Sequence, residues 1–339
     1  MPIQKRVTIT EIARLCGVSA QTVSRVINDR PDVAATTRAS VEKAIANAGY
    51  HPSALARGLV RQHSLVLGVV VSGLREVGVS QILNGIAERS QAAGYALLLH
   101  EVADTDRSSL EPVVRMLRSH QAEGIVFATP STDWAVGLAD RIPRSCPPAL
   151  FLKQGPSAHH TTIRIDNKLG ARTAIEHLLA LGRRAIAHVS GPEPWLETAH
   201  RRIGWQETLS SAGLRADRLG EGNWSAASGQ SAFGRMLDRY PDIDGVFVGN
   251  DQMALGVMRE AARRGMRIPD DLAVVGFDGL TESALYTPSL TTIVQPLVAM
   301  GALAVDRLLG EIDGADAHPG ADIVLPTQLI VRESAPLAV

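Results

Sequence analysis

Four side chains near the start of this 339-residue chain have the types and spacing to read DNA. Ala20, Gln21, Ser24 and Arg25 share one side of a helix that the sequence predicts from Ser19 onward, because positions three and four apart lie on one face. Gln and Arg pair with adenine and guanine edges in the major groove. The opposite face carries Val23, Val26 and Ile27, an apolar stripe that must be buried. Ser19 is a natural N-cap for this helix. A preceding helix is expected from Ile9, Ile12 and Leu15 at helical spacing, and Gly17 can supply the backbone of a tight turn between the two. This is a helix-turn-helix. An amphipathic hairpin in an ordinary core would show similar stripes, but charge favours DNA. Residues 1–63 hold nine Lys or Arg against four Asp or Glu, a net +5, whereas the whole chain is −1 and the remainder therefore −6.

Elements that hold a second site follow from residue 64. Short apolar runs at Leu65–Val71, Ala96–Leu99, Gly124–Phe127, Ala149–Leu152, Ala185–Val189, Gly245–Val248 and Leu272–Phe277 read as buried strands. Helical stretches at Gln81–Ala93, Leu110–Ser119, Gly170–Leu181, Ala199–Ala212 and Met253–Gly265 alternate with them. That alternation predicts parallel sheets covered on both faces, more readily as two lobes than as one sheet. Ligands of such sheets sit at the strand C-termini, here the cleft between lobes. Residues 50–63 read as a linker. Pro52 ends one helix, and Ser53–Leu59 forms another too short to be stable alone.

Several function classes drop out. At 45% hydrophobic and 20% charged residues the composition is that of a soluble globular chain. No apolar run approaches the ~20 residues of a membrane span. Lys5 and Arg6 are followed by no apolar signal core, so a cytoplasmic location is expected. Cys16 and Cys146 are expected neither to pair nor to hold metal. His159-His160 lies in a polar loop and is expected to be solvated. Phosphate-binding, H-E-x-x-H and G-x-S-x-G motifs are missing, so neither enzyme chemistry nor a cofactor is expected.

The run Ser19–Asn28 resembles the recognition helix of the lactose/galactose repressor family. Thr36-Thr37-Arg38 through Ala48-Gly49-Tyr50-His51-Pro52 is similar to its third helix and exit, and Ser53–Leu59 to its hinge helix. Asn223–Gly229, Asn250–Gly256, Thr291–Pro296 and Pro326–Ser334 resemble the lactose-type members. The resemblance covers nearly the whole chain, in family order. It implies an all-α helix-turn-helix head at residues 1–49, the hinge at 50–63, and an α/β two-lobed core like periplasmic binding proteins at 64–339. Lobe one would span about 64–165 and 296–325, and lobe two about 166–293 and 326–339. Crossings are placed near Ile165–Asp166, Thr292–Gln295 and Leu325–Thr327.

By the same resemblance, operator contacts fall on Thr8, Ser19, Ala20, Gln21, Thr22, Ser24, Arg25, Asn28, Thr37, Tyr50, Ala56, Arg57 and Leu59. Leu59 would act as a minor-groove wedge. Contacts to an effector, a sugar or sugar derivative, fall on Ser72, Ile82, Lys153, Glu197, Arg201, Trp224, Asn250, Asp278 and Gln295. Two of these depart from the lactose-type pattern. Lys153 stands where those members carry an aspartate, and Glu197 where a small hydroxyl residue is usual. The exchange opens an acidic or phosphorylated sugar as an alternative to a neutral one, unless Lys153 pairs with Glu197. Ala20 replaces a tyrosine, so the operator should differ there. The chain stops soon after Ser334 without heptads, which predicts a homodimer on near-palindromic DNA. The leading reading is a repressor released by its effector. A co-repressor-dependent regulator with a non-sugar effector stays open. A sugar-binding transport receptor would share the lobes but not the basic head.

Overall fold

The computed structural model describes residues 7–27, 29–50, 63–102, 110–129, 142, 147–193, 195–315 and 320–337. Asn28, Cys146 and the expected hinge helix with Ala56, Arg57 and Leu59 lie outside the described residues. The chain divides into two units, Met1–Leu65 and Val66–Val339.

The first unit has three helices: α1 (Ile9–Cys16), α2 (Ala20–Ile27) and α3 (Ala35–Ala48). Local chemistry sets their ends. The Thr8 hydroxyl accepts from the Glu11 amide at 3.3 Å, and the Glu11 carboxylate accepts from the Thr8 amide at 2.7 Å, a reciprocal cap. Gly17 closes α1 at φ 64°, a left-handed conformation that costs glycine little. Ser19 starts α2 by accepting the Thr22 amide at 3.0 Å. Ile12, Ala13, Val23, Val26 and Val41 form the core. Leu15, expected among them, is 64% exposed. The inner face of α1 follows Ile9, Ile12, Ala13 and Cys16, the i, i+3, i+4, i+7 pattern, and Leu15 falls off it.

The second unit contains two six-stranded sheets. Lobe one runs β11 (Asp322–Leu325), β5 (Thr161–Ile165), β4 (Ala149–Leu152), β3 (Gly124–Ala128), β1 (Val66–Val71) and β2 (Ala96–Glu101), with all pairs parallel. Lobe two runs β12 (Gln328–Ile330), β10 (Thr291–Val294), β9 (Ala273–Asp278), β8 (Gly245–Val248), β6 (Ile186–Ser190) and β7 (Leu219–Glu221). It is parallel except where β12 pairs antiparallel with β10. That exception has a topological cause. The chain leaves lobe one at the C-terminal end of β11 and enters lobe two at the matching end of its sheet, so β12 must run against its neighbour. The chain passes between sheets after β5, after β10 and after β11.

Seven helices cover the sheets: α4 (Val77–Ala92), α5 (Glu111–Ser119), α6 (Asn167–Ala180), α7 (Leu196–Ser211), α8 (Ala226–Arg239), α9 (Asp251–Arg263) and α10 (Leu297–Ile312) among the described residues. Each sheet carries an apolar cluster on either face, with α4 and α10 opposite α5 in lobe one and α8 and α9 opposite α6 and α7 in lobe two. That arrangement explains the continuous apolar strands. Helices α4 and α10 meet through Gly85 and Gly301, where a Cβ would collide with the carbonyls of Val298 and Ile82. No described helix is long and apolar enough to cross a membrane.

Candidate functional site

On α2, Ala20, Gln21 and Arg25 are exposed and Ser24 half-buried, while Val23 and Val26 hold the helix down. Arg25 stands 3.7 Å from the Asp32 carboxylate, with both side chains about half exposed, so solvent screens the pair and the guanidinium can leave it for a base. Thr22 stays beside the cap, its hydroxyl 2.9 Å from that of Ser19. Thr37 is half-buried on α3, and Tyr50 packs against the head core. Thr8 and Ser19 serve as helix caps, each accepting one of the amides left free at a helix start.

The second site lies between the lobes, where the strands of both sheets end. A cavity there is lined by Lys153 and Glu76–Val79 from lobe one, and by Trp195, Glu197, Arg201, Trp224, Asn250, Gln252, Asp278 and Gln295. Each position has a local cause. Lys153 follows β4 in a left-handed turn, φ 63°, with its amide bonded to Ile163 at 2.9 Å. Glu197 and Arg201, one turn apart on α7, share a face. Asn250 caps α9 by accepting the Met253 amide at 2.8 Å, and its Nδ2 donates to the Trp224 carbonyl at 3.0 Å. Asp278 ends β9 at φ 111°, a strained conformation for a residue with a side chain. Gln295 lies at the crossing after β10 and donates to Asp278 Oδ1 at 2.7 Å.

Arg201 is the anchor. Its Nε donates to Asn167 Oδ1 at 2.8 Å, its Nη1 donates to the Gly249 carbonyl, and the guanidinium lies 3.8 Å over the Phe277 ring. Asp278 Oδ1 is 3.9 Å away. Burial pulls Arg201 down from its usual value, with Asp278 opposing. Burial pushes the Asp278 carboxyl above the ordinary carboxylate range, against the pull of Arg201. Lys153 Nζ meets Glu197 Oε1 at 2.9 Å. Burial works to raise Glu197, but the Lys153 ammonium outweighs it and holds the carboxyl below its usual value. The Trp224 indole lies on Gly191, where a Cβ would overlap the ring, and edge-on to Trp195 at 5.5 Å. Its Nε1–H has no hydrogen-bond partner among the described residues.

Seven of the nine expected effector residues line this cavity. Ile82 instead packs in the lobe-one core. Ser72 is fully buried just past the end of β1 and lines no part of the cavity. Sequence reasoning missed Glu76–Val79, Trp195 and Gln252, which a strand-end rule would have found at the starts of α4, α7 and α9. It also missed Asp251. Its buried carboxylate accepts from Thr292 Oγ1 at 2.6 Å, Ser283 Oγ at 2.7 Å and the Leu280 amide at 2.8 Å, tying β10 to the segment that follows Asp278. Burial, reinforced by the nearby Asp278 charge, pushes it up to about 7. His160 corrects another expectation. It is buried, with Nε2 3.0 Å from the Ile142 carbonyl, while His159 is exposed. No group of residues able to hold a metal occurs among the described residues.

Comparison with known proteins decides the family. Residues 8–53 match the model of bacterial regulatory proteins of the lacI family, and residues 175–335 that of the periplasmic binding protein-like domain. The lactose operon repressor of Escherichia coli K12 is 34% identical over 97% of this chain and 91% of its own length. The chain belongs to the lacI family of transcription regulators. Among solved structures, the lac repressor dimer bound to operator and the anti-inducer ONPF superposes with TM-score 0.90 at 34% identity, over 98% of this chain and 100% of that one. The complex of the transcriptional regulator CelR with cellobiose gives 0.70 at 30% identity, over 97% and 100%. For this lacI-family chain the relatives are regulators and not enzymes, and the two-lobed binding core is the expected one.

Proposed function

We propose that this protein is a homodimeric repressor that reads a near-palindromic operator through α2 and releases it when a sugar or sugar derivative binds between the lobes of its core. The head at residues 1–49, the hinge at 50–63 and the core at 64–339 are the working parts. The supporting observation is the meeting of Arg201, Asn250, Asp278 and Gln295 with the Trp224 indole at one cleft. Separate segments supply hydrogen-bond donors, a carboxylate acceptor and a flat apolar wall, the set that a sugar ring uses. The relatives' printed ligands, ONPF and cellobiose, fit the same chemistry.

The cleft as it stands suits a switch. Its free volume is about 40 Å³, enough for a water or two, and it adjoins a cavity of about 740 Å³ that shares Glu76, Val77, Trp224 and Gln252. A sugar that reaches Arg201 and Asp278 from there has to displace side chains or part the lobes. It can shift the lobe equilibrium only by its differential affinity for the two arrangements. A thermal-shift screen of the full chain with sugars, sugar acids and purines tests the reading. A true effector at 100 times its Kd stabilises the core by about 2.7 kcal/mol. A hit confined to purines overturns the sugar assignment.

A further inference from the structure

We propose that Lys153 and Glu197 form a latch between the lobes, which closes the ligand-free cleft and selects effectors without net charge. The second half of this proposal rests on the effector reading above. The two side chains come from opposite lobes, Lys153 from the turn after β4 and Glu197 from the first turn of α7. They meet at 2.9 Å with 11% and 7% of their side chains exposed, so solvent screens the pair little. No other side chain among the described residues bonds the Glu197 carboxylate.

The charge count around the cavity follows. Lys153 and Arg201 are balanced by Glu197 and Asp278, and Glu76 adds one more carboxylate. Lys153 alone would suit a sugar acid or sugar phosphate. Paired, it does not. An anionic group that captured Lys153 would strand the Glu197 carboxylate in a buried site, a loss on the order of 10²–10³-fold in affinity. A hydroxyl satisfies both partners, since its oxygen accepts from the ammonium and its O–H donates a hydrogen bond to the carboxylate. Inserting one hydroxyl replaces the direct contact by two hydrogen bonds of about 2.8 Å. The latch then lengthens without breaking, and ligand entry changes lobe spacing by a defined step. The selected ligand is a neutral polyhydroxylated one whose hydroxyl lies at the Lys153–Glu197 junction.

The test uses the full chain with spin labels, carried by an unnatural amino acid, at exposed Gln91 on lobe one and Ser210 on lobe two. Without ligand, Lys153→Met and Glu197→Gln should each lengthen or broaden the inter-lobe distance distribution. The exchange of Lys153→Glu with Glu197→Lys should return it toward wild type, and this double variant serves where a single one fails to fold. Wild-type distances in both single variants, or a folded exchange variant that stays open, would overturn the latch. In a second arm, calorimetry compares galactose, glucose and cellobiose with glucuronate and glucose 6-phosphate. Wild type should favour the neutral sugars at least 100-fold over the anionic ones, and Glu197→Gln should shrink that gap at least tenfold. Preference of wild type for an anionic sugar overturns the selection. If no sugar binds wild type, the effector reading fails and takes the selection with it, while the spin labels still decide the latch.

Discussion

Replacing Asp278 by Asn tests the cleft with little disturbance to the fold. The side chain keeps its shape, its Oδ1 still accepts from Gln295 Nε2, now 2.7 Å away, and Asn tolerates the positive φ at this position better than most residues. Arg201 loses a charge 3.9 Å away but keeps Asn167, the Gly249 carbonyl and the Phe277 ring. The buried carboxylate also loses its own desolvation cost, visible in its raised pKa. These changes oppose one another, so the melting temperature should move by only a few degrees, about 1 kcal/mol. Ligand binding should suffer more. Hydrogen bonds to a charged group contribute about 1.5–3 kcal/mol, so loss of charge at Asp278 should weaken sugar binding roughly 10–150-fold. The raised pKa adds a pH signature. Wild-type affinity should fall on acidification as the carboxylate protonates, starting above the usual carboxylate range, and Asp278→Asn should flatten that fall. Calorimetry across pH with the strongest sugar from the thermal-shift screen measures both. Unchanged affinity in a folded Asp278→Asn protein would refute the placement of the effector site.

Three further outcomes are expected. Arg25→Ala should cost roughly 1–3 kcal/mol at one base step of each half-site and relax preference there, read by operator-variant binding; uniform weakening on all sequences would make Arg25 a phosphate contact. Asp251 has a pKa raised from 3.8 to about 7, so its contribution to stability is full below the unfolded value and is lost as pH rises through about 7. Thermal melts should show wild type losing stability across that window relative to Asp251→Asn, and parallel profiles would contradict the assignment. Gly191→Ala pushes a methyl into the Trp224 ring, which should cost about 1–3 kcal/mol of stability and weaken sugar binding together with the indole's tryptophan fluorescence response; an unaltered response would remove Trp224 from the site.

The head was legible because its signals are local. Ser19, Gly17 and the Val23–Val26 stripe each act within a few residues, and the structure uses all three. Leu15 failed because α1 has only eight residues and two apolar faces fit its sequence; contact with α2 and α3 chose the one with Ala13. Seven strands were legible as runs of Val, Ile, Leu, Ala and Phe, whereas β5, β7, β10, β11 and β12 are short or carry Thr, Arg, Glu, Asp or Gln and gave no such run. The cleft was harder. Arg201, Asn250 and Asp278 lie far apart in sequence, and family resemblance rather than periodicity pointed to them. Ile82, named by the same route, packs in the lobe-one core. Asp251 was invisible because nothing local marks a carboxylate whose three donors come from residues 280–292. The Lys153–Glu197 pair could be suspected from its charges, but only folding brings residues 44 positions apart to 2.9 Å.

Control of the DNA contact by the cleft is open to one direct measurement. Fluorescence anisotropy of a labelled operator, selected from random DNA with the full chain and titrated with the sugar panel, makes that measurement. Expected are tight binding to a near-palindromic site, dissociation on adding one neutral sugar, and an Asp278→Asn protein that binds the same operator but needs roughly 10–150-fold more sugar to leave it. An operator complex that persists with every sugar, or one released equally well from Asp278→Asn, would contradict it.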